Sequence, residues 1–142
     1  MAYATQAQLE VAAGGAARLV QLADWDNDSV VDAAVIAQCQ AEVDAIIDSH
    51  AATRYAVPVQ NPSAAFQAIA AGEYVYWLRL KRAMVSEDHK LEHEERMAWL
   101  VKLSKGQVLP SDPTPTKSSA VGSSWVDRAD DDVSRTNLEG FW

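Results

Sequence analysis

From Asp32 to Gly106 the apolar side chains recur at three- and four-residue spacing, and prolines break the run in one place only, at Pro58 and Pro62. A half-buried strand would alternate apolar and polar residues with period two, and no segment of the chain does so. The spacing therefore predicts an all-α protein. It is read as a small helical bundle, with two short N-terminal helical pieces, three longer helices and an extended C-terminal arm.

The punctuation places the helices. Thr5 followed by Gln8 has the form of a capping box and opens a short helix over TQAQLEVAA. Gly14 and Gly15 end or kink it, and AARLVQLAD forms a second piece. Asp32 is a natural N-cap for a long helix running from Ala33 to Tyr55. One face of that helix carries Val35, Ile36, Cys39, Val43, Ile46, Ile47 and His50. Pro58 and Pro62 forbid helix between Ala56 and Ser63. Ser63 opens the next helix, predicted over 64–84, where Phe66, Ile69, Ala70, Trp77, Leu80 and Met84 form a stripe. Tyr74, Val75, Tyr76 and Leu78 widen that stripe, and a helix apolar over so much of its circumference belongs at the centre of a bundle. Ser86 caps the last helix, Glu87 and Asp88 suit its first turn, and Gly106 stops it. Trp77, Leu80, Ile46, Val43, Tyr55 and Trp99 are the expected core.

The character changes after Gly106. Residues 107–142 hold three prolines and many Ser, Thr and Asp, without a sustained apolar period. Such a segment cannot bury enough apolar surface alone to offset the entropy of ordering. The expected organisation is thus a helical domain over 1–106 and an arm over 107–142. Yet the arm carries Trp125, Phe141 and Trp142, and Trp is over-represented among the energetic anchors of interfaces. These three are the expected partner-binding residues of the arm.

Composition excludes several functions. One cysteine, Cys39, allows no internal disulfide and no Cys-based metal site. No apolar run approaches the ~20 residues of a membrane span. The opening MAYATQAQLE has neither the basic nor the apolar segment of a signal peptide, so no secretion is expected. A net charge of −8 argues against wrapping DNA through phosphate contacts. That charge is unevenly spread, at −7 over 1–50, +2 over 51–106 and −3 over 107–142. Segments of opposed sign can attract copies of one chain head to tail, and Arg79, Lys81 and Arg82 are the basic run expected to meet acids of a neighbour.

Two patterns invite a metal. In DWDNDSVVD, Asp24, Asp26, Asp28 and Asp32 fill positions 1, 3, 5 and 9 of a calcium loop. Position 6, normally glycine, is Ser29, and position 12, normally a bidentate Glu, is Val35. The stretch is better explained as a helix–helix turn whose aspartates bind their own backbone amides, with the four carboxylates as weak cation candidates. The second pattern is HKLEH, of the form H-x-x-E-H found in a class of zinc peptidases. His89 and His93 share a helix face, and with Glu92 they define the rival possibility of a zinc-dependent hydrolase. No third ligand or cleft accompanies them, and a solvated helix with Lys90–Glu94 and Glu92–Arg96 pairs explains the same residues. No nucleophile elbow, phosphate loop or dinucleotide fingerprint occurs, so neither an enzyme nor a cofactor is expected.

Several stretches, in order, resemble the Mu-like phage head–tail connector proteins, also called adaptor or head-completion proteins. They are YATQAQL, DWDNDSVVDAAVIAQ, AEVDAIIDSHAATRYAVPV, EYVYWLRLKR and AWLVKLSKGQVLP, within about residues 2–110. Asp-rich turns with a glycine at the Ser29 position are common in that family. The resemblance implies a structural virion protein at the head–tail junction, assembled in the host cytoplasm. It implies a ring, usually of about twelve copies, that contacts the portal protein and a tail terminator or stopper. Double-stranded DNA would pass through its channel without specific binding.

Overall fold

The computed structural model describes residues 2–111, and these form five helices and no strand. They are α1 (Gln6–Ala13), α2 (Ala16–Ala23), α3 (Ala33–Ala51), α4 (Ala64–Lys81) and α5 (Glu87–Ser104). The all-α fold class is as the periodicity requires. The arm's expected contact residues, Trp125, Phe141 and Trp142, lie outside the described residues.

Three of the four capping signals, at Thr5, Ser63 and Ser86, act as read. Thr5 Oγ1 accepts from the Gln8 amide at 3.3 Å, and Gln8 Oε1 accepts from the Thr5 amide at 2.8 Å. Ser63 Oγ accepts from the Phe66 amide. Ser86 caps α5 through a box closed by His89, whose Nδ1 accepts from the Ser86 amide at 3.0 Å. Gly14 and Gly15 take φ of 97° and 130°, which separates α1 from α2 without the cost a side chain would incur.

Two helices end earlier than their spacing suggests. α3 stops at Ala51 rather than Tyr55; the chain continues as a turn in which the Arg54 and Tyr55 amides both donate to the Ala51 carbonyl, and the Tyr55 hydroxyl donates to that of Val108. α4 stops at Lys81 rather than Met84. Ala83 adopts a left-handed φ of 56°, the Met84 amide donates to the Arg79 carbonyl, and the Ala83 amide donates to that of Leu80. This is the Schellman arrangement, with alanine where glycine is usual. α5 ends in the same way with the usual residue, Gly106, at φ 76°. Beyond it the chain returns to the helices: the Ser63 amide donates to the Pro110 carbonyl, and Val108 packs on the core.

α4 touches each of the other four helices, the central place its wide apolar stripe called for. Phe66, Ala70, Tyr74 and Leu78 of α4 are buried with Leu9, Leu19, Cys39, Ile47, Leu100 and Leu103. Tyr3 stands edge-on to Phe66 at 4.9 Å, and Trp99 does so at 6.1 Å. Trp77 and Val43 are buried as expected, while Tyr55 and Trp99 are only partly so. Ile46 and Leu80 are corrections, at 47% and 53% exposed. Each lies at the margin of its helix's apolar stripe, where periodicity alone cannot tell core from rim.

A polar network runs through this core. The Tyr74 hydroxyl donates to Asp44 and accepts from the Tyr3 amide; the Tyr3 hydroxyl donates to Asp48 and accepts from the Val59 amide. Burial raises the Asp44 carboxyl above its ordinary value, against the opposing pull of the Tyr74 hydrogen bond. Burial pushes the Cys39 thiol up to about 12, so it is an inert core residue rather than a nucleophile.

Candidate functional site

The aspartate turn joins α2 to α3. Asp24 holds two amides of the turn, that of Asp28 at 3.0 Å and that of Ser29 at 2.7 Å. Asp28 accepts from the Val30 amide at 2.9 Å. Asp32 stands at the N-cap position of α3, yet its side chain does not cap that helix. It reaches back to the Trp25 and Asp26 amides, at 2.7 and 3.3 Å. The capping role expected of Asp32 is thus replaced by closure of the turn. Ser29 takes φ 68°, the left-handed conformation for which a calcium loop uses glycine.

One oxygen from each of Asp24, Asp26, Asp28 and Asp32 lies within 4.8 Å of the others. These four could hold a cation; Val35, at the twelfth position, is buried in the core and adds no ligand. Desolvation, followed by Asp24, Asp28 and Asp32, pushes the Asp26 carboxyl up to about 6. Desolvation also works against Asp24, but the amides of Ser29 and Asp28 hold it below the ordinary carboxylate value.

The turn is fastened to α4 by its tryptophan. Trp25 stacks on Trp77, and its Nε1 donates to the Leu22 carbonyl at 3.0 Å. Trp77 in turn donates from Nε1 to Glu42 at 2.6 Å, and the Lys81 ammonium lies 5.1 Å from the Trp77 ring centre.

The basic run splits three ways. Lys81 sits over Trp77, and Arg82 donates to the Gln21 carbonyl at 3.3 Å. Arg79 lines a hollow of 100 Å³ with Arg18, Gln21, Leu22, Ala13, Met84 and His89. Burial holds the Arg79 guanidinium below its ordinary value; Glu92 opposes this, while Arg96 and Arg18 add to it. Arg18 was not singled out in the sequence because it lies far from Arg79 along the chain.

The histidines of HKLEH part company. His89 spends Nδ1 on the α5 cap. His93 directs Nδ1 to Glu73 at 2.9 Å and stacks on Tyr76 at 4.2 Å. Glu92 lies 3.8 Å from Arg96, as its i,i+4 spacing suggested, while Lys90 pairs with Glu87 instead of Glu94. Among the described residues the aspartate turn alone brings three or more metal-ligating side chains together, and His89, Glu92 and His93 form no such group. The buried partner of this helix is Glu73, bound by Arg96 Nε at 2.5 Å. Gly72 makes that contact possible, because a Cβ there would come within 2.8 Å of the Arg96 side chain. No helix among the described residues is long and apolar enough to cross a membrane.

Among the described residues the fold is a five-helix bundle whose central helix is α4. The family model described as "Bacteriophage Mu, Gp36" matches residues 3–125. The chain therefore belongs to the bacteriophage Mu Gp36 family, and is a virion-associated structural protein of a phage. No curated protein matches it.

Proposed function

We propose that this protein is a head–tail connector that forms a closed ring between the portal and the tail and extends the DNA channel. Membership of the Gp36 family over residues 3–125 is the observation that carries this reading. Its physical chemistry agrees. A net charge of −8 suits a wall past which DNA slides, since a basic wall would hold phosphates. A cyclic ring needs two different faces on each copy. Ile46 and Leu80, half exposed, line a 210 Å³ groove with Val43, Tyr76 and Trp77, an apolar surface of the kind that subunit contacts cover. The basic run Arg79, Lys81 and Arg82 meets acids from the N-terminal third of the adjacent copy. Trp125, Phe141 and Trp142 bind the portal or a neighbouring copy, and a tail terminator or stopper docks on the far side of the ring.

The experiment mixes the purified full chain with the portal protein of the same phage and images the complex by negative-stain electron microscopy. The reading requires a ring of this protein stacked on the portal. It requires also that removal of residues 113–142 leaves helicity and melting temperature nearly unchanged but abolishes that stacking. A chain that never joins the portal overturns it.

A further inference from the structure

Among the described residues, the hollow between α2, α4 and α5 is lined by the polar Arg18, Gln21, Arg79 and His89 beside the apolar Ala13, Leu22 and Met84, and by no carboxylate. Arg18 and Arg79 bring two guanidiniums. His89 uses Nδ1 as an acceptor for the Ser86 amide, which leaves Nε2 as the protonated nitrogen of the neutral ring. Neither Arg18 nor Arg79 has an ion-pair partner among the described residues, although acids outnumber bases in the chain. The nearest competitor, Glu92, is already placed against Arg96. Two like charges beside one small hollow repel each other, and burial of Arg79 sharpens the cost.

The opposite imbalance stands on the aspartate turn. Residues 25–30 are all exposed, so the turn is a projecting tip. Asp26 and Asp28 lie on that tip amid Asp24 and Asp32, and among the described residues no cationic side chain pairs with any of the four. The described residues thus present a cationic hollow and an exposed anionic tip, each short of a counter-charge among themselves. A carboxylate meeting a guanidinium gains charge-assisted hydrogen bonds of fixed geometry, stronger than those between neutral groups.

We infer that the Arg18–Arg79–His89 hollow of one copy receives the Asp26–Asp28 tip of the next copy. This rests on the ring reading and names the contact that the basic run makes within it. Each copy gives one tip and receives one, so the contact joins unlike surfaces and repeats from copy to copy.

A charge exchange tests the contact, read as assembly mass by sedimentation of the full chain at low ionic strength. The variants are Arg18→Glu, an exposed position on α2, and Asp26→Lys, whose side chain holds no amide of the turn. Each variant alone places like charges in the contact and should remain monomeric, with circular dichroism unchanged. An equimolar mixture should assemble, because the introduced Glu then faces the introduced Lys while the retained Arg18 faces the retained Asp26. High salt should weaken assembly of the unaltered protein. Single variants that assemble like the parent, or a mixture that fails although both variants fold, overturn the contact. If either variant misfolds, Arg18→Gln with Asp26→Asn serves instead, and unchanged assembly of both again overturns it. A closed dimer that the exchange abolishes and the mixture restores would keep this contact and overturn the ring. A parent chain that is monomeric at every concentration and beside the portal overturns both.

Discussion

The indole of Trp25 lies parallel to that of Trp77, with 6.3 Å between ring centres and 4° between planes. One residue opens the aspartate turn and the other sits on the central helix, so the stack ties the most acidic loop to the core. A double-mutant cycle of Trp25→Ala and Trp77→Ala should show a coupling of about 0.5–1.5 kcal/mol. Additive losses in chemical denaturation would mean that the stack holds nothing.

The core of α4 carries much of the stability. Phe66 is 1% exposed and packs edge-on against both Tyr3 and Trp99. Phe66→Ala should cost about 3–5 kcal/mol, by lost burial and the cavity left behind, and Trp77→Ala should fall in the same range. Leu80→Ala, at a half-exposed position, should cost much less than either. Urea unfolding of the three variants checks the order.

The aspartate turn should be sensitive to pH through Asp26. Its folded pKa of about 6 lies above the 3.8 of an unperturbed Asp. A raised carboxyl pKa gives stability that is complete below the unfolded value and is lost as pH rises through about 6. Asp26→Asn should therefore melt higher than the parent at pH 7, and the gap should close toward pH 4. An equal gap at both pH values would show that Asp26 titrates normally. Asp24→Ala should instead lower the melting temperature, since it frees the amides of Asp28 and Ser29.

Ala83 holds a left-handed conformation that glycine adopts freely. Ala83→Gly should stabilise the protein by about 1 kcal/mol, the reverse of the usual effect of glycine near a helix. A loss of stability on this change would show that the Schellman closure of α4 does not persist in solution.

The helices were legible because their signals are local. Thr5, Ser63 and Ser86 each cap the helix that follows, and Gly106 ends α5 as its sequence announces. The end of α4 was not legible, because nothing in the residues around Ala83 marks an alanine that will turn left-handed. Ile46 and Leu80 were misplaced for a different reason. Ile46 on α3 and Leu80 on α4 each stand at the rim of an apolar stripe, where burial depends on which neighbours arrive. The aspartate turn was legible as a turn, since Asp24 and Asp28 bind amides within five residues. The second use of Asp32 was not, because capping α3 and closing the turn compete for one carboxylate and only the path of the loop decides. The Arg18–Arg79 hollow needed the packing of α2 against α4, which no local pattern encodes.

The central claim is a place in the virion, and it is tested most directly by imaging. Virions of the source phage labelled with gold-conjugated antibody against residues 2–111 should carry gold at the junction of head and tail, and reconstruction should show a ring there. Label on the capsid shell, along the tail or absent from the particle would contradict the account.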